Sequence, residues 1–144
     1  MRISRELLDE LIAHVSEEPE NEVCGVVAVE PPRADSAGGE GPRALAVHRA
    51  HNIHASPLKF EIDPEELRRL WSACEDVGEL GAIYHSHVRS EPYPSQTDVN
   101  FAANWPGVEW IIVRLAGDSD PQVRSYLIDD AGRVEEVTIE ETST

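Results

Sequence analysis

Sulfur, positive charge and long apolar runs are all scarce in this chain. Cys24 and Cys74 are its only cysteines. They are too few and too far apart for a disulfide framework, so the fold has to hold by packing. Both sit in apolar stretches and read as small buried hydrophobes. Aromatic residues make up 6% and hydrophobic residues 40% of the chain, ordinary values for a water-soluble domain. No apolar run is long enough to cross a bilayer. Twelve basic residues face 28 acidic ones, a formal charge of −16. Such a surface repels nucleic acid and anionic membranes and favours a partner with a basic face. The same excess also suits an acidic proteome or a salt-tolerant organism. The opening Met1-Arg2-Ile3-Ser4-Arg5-Glu6 enters a charged amphipathic pattern directly, without an apolar signal region, and points to the cytoplasm. At 144 residues the expectation is one domain, 1–144, able to bury its own core.

Leu7, Leu8, Leu11, Ile12 and Val15 share a helical face, with Ser4 placed to cap it. Asn21-Glu22 then lead into Val23-Cys24-Gly25-Val26-Val27-Ala28-Val29, a continuous apolar run expected to form a core strand. The stretch from Glu30 to Arg43 is rich in Pro, Gly, Ala and acid and reads as a hairpin-like loop or flap. A returning strand is expected at 44–50. Another is expected at 58–62, where Leu58-Lys59-Phe60-Glu61-Ile62 alternates at period two. Asp63-Pro64-Glu65-Glu66 is a strong helix start, followed by an inward stripe of Leu67, Leu70, Trp71 and Cys74 and a stop at Gly78. Trp71, Trp105 and Trp110 all read as core. A further strand ends in His85-Ser86-His87, a helix runs from Ser95 to about Asn104, and strands follow near 109–115, 122–128 and 133–139. The order αβββαβαβββ predicts an α/β (α+β) fold: a curved mixed sheet flanked by two to three helices. No internal repeat is visible.

The chemistry concentrates between Tyr84 and Asp98. Residues i and i+2 of a strand face the same way, roughly 7 Å apart, so His85 and His87 can converge on one ion. Ser86 faces away and is small enough to bury. Asp98, beyond a Pro-rich loop, can bring a carboxylate to the same point. Two neutral imidazoles, one carboxylate and an open position have the composition of a catalytic zinc site. Each part alone has an ordinary reading. His-x-His on a strand is commonly solvated, and Ser95-x-x-Asp98 is a capping box. Their joint spacing favours the metal. Hydrolysis also needs a base that does not ligate, and spacing alone does not choose among Glu17, Glu18, Glu20 and Glu22. His48, His51 and His54 recur every three residues, which suits ligation from neither strand nor helix, and read as a solvated strand end.

Glu22-Val23-Cys24-Gly25, then His85-Ser86-His87, seven residues and Ser95-x-x-Asp98 together resemble the JAMM (MPN-plus) metallopeptidase signature. The segment Asn52…Ser56-Pro57…Phe60-x-Ile62 matches as well, so the resemblance covers nearly the whole chain. It implies the JAMM/MPN, cytidine-deaminase-like, fold. It also implies His85, His87 and Asp98 as ligands of a Zn²⁺ cofactor, Glu22 as general base and Ser95 as oxyanion donor. The strings Ile83 to His87, Glu91 to Val99 and Arg124-Ser125-Tyr126 are most similar to the bacterial CysO-cysteine peptidase group. That similarity implies a zinc peptidase cutting the C-terminal Gly–Cys bond of a ubiquitin-like sulfur-carrier protein and releasing cysteine for biosynthesis. The partner would then carry a Gly-Gly(-Cys) tail. Two alternatives stand beside this expectation: a JAMM peptidase for another ubiquitin-like tail, and a non-catalytic MPN scaffold, which would ordinarily lack a ligand. The Glu30 to Arg43 loop exceeds a minimal domain of the family and takes no role from the resemblance.

Overall fold

The computed structural model describes residues 1–31, 41–115 and 120–143; most of the expected flap, 32–40, lies outside them. Chain order gives β1 (Arg2–Ser4), α1 (Arg5–Glu17), β2 (Cys24–Glu30), β3 (Arg43–Ala50), α2 (Pro64–Glu75) and β4 (Glu79–His87). Then come α3 (Gln96–Ala102), β5 (Glu109–Arg114), β6 (Gln122–Ile128), β7 (Val134–Val137) and β8 (Glu140–Thr142). The described strands form one mixed sheet in the order β7-β6-β5-β4-β2-β3-β1-β8. β4 pairs antiparallel with β2 and parallel with β5, which places the two-histidine strand in the middle of the sheet. The result is the expected α+β arrangement with three helices.

Period-two alternation sorts the strands onto two buried faces. Val27, Val29, Ala82, Tyr84, Ile111 and Val113 pack with Leu11 and Val15 of α1. Val26, Ala28, Ile83, Trp110 and Ile112 pack on the other face with Cys74 of α2 and Ala102 of α3. Burying each large apolar side chain contributes about 1.5–3 kcal/mol, so both faces anchor β2, β4 and β5 firmly. The helix starts follow the caps. The Ser4 hydroxyl accepts from Leu7 N at 3.2 Å, and Asp63 accepts from Glu65 N and Glu66 N. Cys24 and Cys74 are fully buried free thiols. Burial pushes them up to about 12 and about 11, which makes both poor nucleophiles.

Three expectations need correction. Residues 58–62 do not form a strand. Burial alternates only over Phe60-Glu61-Ile62, since Leu58 is exposed, and their polar backbone groups meet a side chain and a neighbouring loop instead of a sheet. Trp71 is not in the inward stripe. It is 47% exposed and meets Trp105 edge-on at 5.5 Å, whereas Trp110 is completely buried. Finally, the strand expected at 133–139 is present as the shorter β7, but the sheet also gains β8 beyond it, which pairs in parallel with the equally unforeseen β1.

Candidate metal and catalytic site

Three elements build the site. β4 ends on the α2/α3 face with Ile83, His85 and His87, while Tyr84 and Ser86 point the other way. Ser86 N donates to Val23 O at 2.9 Å, and the Ser86 hydroxyl accepts from Val23 N at 2.8 Å. This small buried residue therefore welds the end of β4 to the entrance of β2. Carried two residues further, the register Cys24↔His85 brings Glu22 beside His87. Of the four acids that spacing left open, Glu22 lies beside His87 and shares a groove with Asp98.

The third element is the start of α3. Ser95 and Asp98 form a complete capping box. Asp98 N donates to Ser95 Oγ at 3.1 Å, and Ser95 N donates to Asp98 Oδ2 at 2.9 Å. The cap turns the same carboxylate oxygen toward the histidines. Asp98 Oδ2 lies 3.2 Å from His85 Nε2 and 3.6 Å from His87 Nε2, and the two Nε2 atoms are 3.1 Å apart. All three residues are buried. Ligands about 2.05 Å from a tetrahedral zinc are separated by roughly 3.3 Å, so these spacings suit that ion. His87 Nδ1 donates to Glu91 O over 2.7 Å, which leaves its Nε2 with a lone pair aimed at the cluster. His85 stacks on Phe60 at 4.4 Å, and its Nδ1 is buried without a hydrogen-bond partner among the described residues. Two imidazole nitrogens and a carboxylate oxygen, packed together out of water, form a donor set that can hold a divalent cation.

Charge states follow from these contacts. Burial works against ionisation of Asp98, but the two histidines and Ser95 N outweigh it and hold the carboxyl well below its usual range. Burial likewise opposes charge on His87, yet Asp98 and the Glu91 carbonyl push it up. Glu22, only 6% exposed, is pushed up to about 7, chiefly by burial; Asp98 adds to the rise and His87 opposes it. A cation in the cluster would draw it down again. Glu22, Ser95 and Asp98 line one groove, walled by Leu58, Phe60 and Phe101. The Ser95 hydroxyl accepts from Asp98 N, so its own proton is available to the groove.

The other histidines do not join the cluster. His51 Nδ1 pairs with Glu66 at 2.8 Å and His54 Nε2 with Glu61 at 3.0 Å. His48 Nε2 is buried with no hydrogen-bond partner among the described residues. Tyr126 enters the sequence reading only as part of a family string; its hydroxyl donates to Pro92 O at 2.5 Å and ties down the loop between His87 and Ser95. No local pattern marks that role, because its partner is a carbonyl 34 residues away.

Prokaryotic homologs of the JAB domain, taken as a family, match residues 4–129. The CysO-cysteine peptidase of Mycobacterium tuberculosis is 33% identical over 136 residues, covering 93% of this chain and 86% of its own. The desampylase of Haloferax volcanii is 34% identical over 118 residues, 78% of either chain. Among solved structures, a Desulfitobacterium hafniense protein superposes with a TM-score of 0.79 at 26% identity, covering 99% of this chain and 93% of that one. A JAB1/MPN domain protein of Archaeoglobus fulgidus shares the fold, with a TM-score of 0.59, 20% identity and 98% coverage of both chains. The chain belongs to the prokaryotic JAB family and is a JAMM-type metallopeptidase.

Proposed function

We propose that the chain is a zinc peptidase that cuts the C-terminal Gly–Cys bond of a ubiquitin-like sulfur-carrier protein and releases cysteine. The observation that carries this reading is the convergence of His85, His87 and Asp98 beside a buried Glu22 and the free hydroxyl proton of Ser95. Similarity to the CysO-cysteine peptidase over nearly the whole chain supports the choice of substrate. On this reading His85, His87 and Asp98 hold the ion. Zinc bound there supplies Lewis-acid polarisation of the scissile carbonyl and of a water. Glu22 takes a proton from the attacking water as its oxygen bonds to the glycine carbonyl carbon. Ser95 donates to the oxygen on which negative charge develops, a contact that strengthens only toward the transition state. Glu22 then returns the proton to the cysteine nitrogen as the C–N bond breaks, leaving a glycine carboxylate and free cysteine. A glycine before the cut brings its carbonyl into a groove between Phe60 and Phe101 without a side chain to seat.

The test is to incubate the zinc-loaded protein with a carrier ending in Gly-Gly-Cys and follow the intact mass. Loss of one cysteine residue is expected; an unchanged mass with zinc bound rejects the substrate. The desampylase relative favours a second reading, a peptidase for another ubiquitin-like tail. A carrier joined through its terminal glycine to a lysine side chain separates the two. A metal-free scaffold is the weakest alternative, because every ligand position is filled. It predicts purified protein without zinc, whereas the proposal predicts about one zinc per chain, lost in His87→Ala.

A further inference from the structure

Glu22 precedes the first ladder residue of β2, so its backbone depends on something other than the sheet to stay in place. Both of its backbone polar groups end in the irregular segment 51–62. Glu22 N donates to Ser56 O at 2.8 Å, and Glu22 O accepts from Asn52 Nδ2 at 3.0 Å. Asn52 does more than this. The same Nδ2 donates to Lys59 O at 2.9 Å, while Oδ1 accepts from His54 N at 3.1 Å and Glu61 N at 3.2 Å. Two donor hydrogens and two acceptor lone pairs are what a carboxamide has, and here all four are used.

The partners fall into two groups. One is the peptide of Glu22. The other is the segment holding Leu58, Lys59 and Phe60, which line the groove together with Glu22. Phe60 in turn stacks on His85. One half-buried side chain thus locks the backbone of the acid to the wall of the groove and, through Phe60, to a metal-ligand ring. The missing strand at 58–62 belongs to the same arrangement, because hydrogen bonds a neighbouring strand would take go to Asn52.

We infer that Asn52 is a positioning residue for the base, fixing the Glu22 carboxylate relative to the metal cluster and the groove. The inference rests on the reading of Glu22 as the base. Asn52 touches no reacting atom. It acts by holding the Cα from which the carboxylate hangs, and a displacement near 1 Å at such a group costs roughly 100-fold in rate. Without the amide, Glu22 O and Lys59 O lose a shared donor and the segment loses its brace.

Four zinc-loaded variants test it: Asn52→Ala, Asn52→Asp, Glu22→Asp and the double variant Asn52→Ala/Glu22→Asp. Asn52→Asp keeps an acceptor for His54 N and Glu61 N but cannot donate to Glu22 O or Lys59 O. The substrate is the carrier ending in Gly-Gly-Cys. Asn52→Ala and Asn52→Asp are expected to keep one zinc per chain and a KM within a few-fold of wild type, with kcat down roughly 10- to 100-fold. Adding Asn52→Ala to Glu22→Asp should lower kcat little further, since both changes act through one carboxylate. Amide hydrogen exchange at Glu22 should speed up in Asn52→Asp while that at Ser86 stays slow. Wild-type kcat in both Asn52 variants, or the same factor lost in the Glu22→Asp background as in wild type, overturns the inference. If Asn52→Ala does not fold, Asn52→Asp carries the kinetic and exchange measurements, and Asn52→Asp/Glu22→Asp completes the cycle. A fully active Glu22→Asp or an uncleaved carrier counts against the reading of Glu22 or the substrate instead. In that event unchanged exchange at Glu22 in Asn52→Asp still refutes the clamp.

Discussion

At the scale of single residues, the proposed reaction asks Ser95 to do two jobs, and substitutions can part them. Its oxygen caps α3, and its proton is free for the groove. Ser95→Ala should lose both, with a stability cost of about 1 kcal/mol and a fall in kcat of roughly 10²–10³. Ser95→Asp should restore the cap but offer no proton, so the melting temperature recovers while kcat stays low. Recovery of both together would show that the serine matters only as a cap. Glu22→Gln makes the complementary case. It removes a buried carboxylate without touching a ligand, so zinc content should hold while turnover of the carrier adduct falls roughly 10²–10⁴-fold. Normal cleavage by that variant would return the choice of base to Glu17, Glu18 or Glu20.

Most of this site was readable from the sequence, because its parts are local. His-x-His needs only strand periodicity, and Ser95-x-x-Asp98 needs only one helical turn. Glu22 was different. It is 63 residues from His85, and the link is made by Ser86 bonding to Val23 across the strand pair, a contact that no periodicity announces. Asn52 was quoted for its place in a family pattern, but its two-sided amide could be seen only once the 51–62 segment was folded against Glu22.

At the scale of elements, the Tyr84 ring of β4 lies over β2 because position 25 carries no side chain. A Cβ on Gly25 would come within 2.3 Å of the Tyr84 ring, and that ring cannot slide freely, since its hydroxyl is 2.6 Å from His14 Nδ1 on α1. Gly25→Ala should therefore destabilise the fold by roughly 1–3 kcal/mol, visible as a lower denaturation midpoint with an unchanged slope. The junction of β3 with α2 offers a pH-dependent case. Burial tends to raise Glu66, but hydrogen bonds from the backbone and ring of His51 win, and the folded state holds it below its usual 4.5. A depressed folded value means stability present above the unfolded value and lost as pH falls through the folded one. The gap in melting temperature between wild type and Glu66→Gln should accordingly be widest near neutral pH and close below about pH 4. A gap that widens in acid would reverse the sign and refute the assignment.

The elements themselves were unevenly legible. α1 and α2 showed their caps and stripes in full. The segment at 58–62 has the alternation of a strand in its sequence without being one, since alternation does not report what the backbone bonds to. β1 and β8 went unseen because each is only three residues long. They exist by pairing with each other across the whole chain, in the register Arg2↔Glu140.

At the scale of the whole molecule, that closure brings charge inside. The α-ammonium of Met1 lies 3.5 Å from Glu109 Oε1 with both groups buried, and Ser125 Oγ donates to the same oxygen at 2.8 Å. Removing one member of a buried ion pair leaves the other uncompensated. Glu109→Ala should cost about 3–5 kcal/mol, measured by denaturant unfolding. A loss under about 1 kcal/mol would mean that water already reaches the pair.

An open sheet also has two ends, here β7 and β8. Each presents glutamates to solvent: Glu135 on one, beside Glu136 paired with Arg124, and Glu140 on the other, beside Glu141 paired with Arg5. Unpaired strand edges are templates for further strands, and like charge along them is a barrier to stacking copies edge to edge. As the medium approaches the isoelectric point of about 4.6, the net charge falls from −16 toward zero. Colloidal failure should then come before unfolding, with light scattering rising while the far-ultraviolet spectrum is still native. Lysine at Glu135 and Glu140 would move that onset to a different pH, making the rim of the sheet a handle on shelf life that leaves the groove untouched.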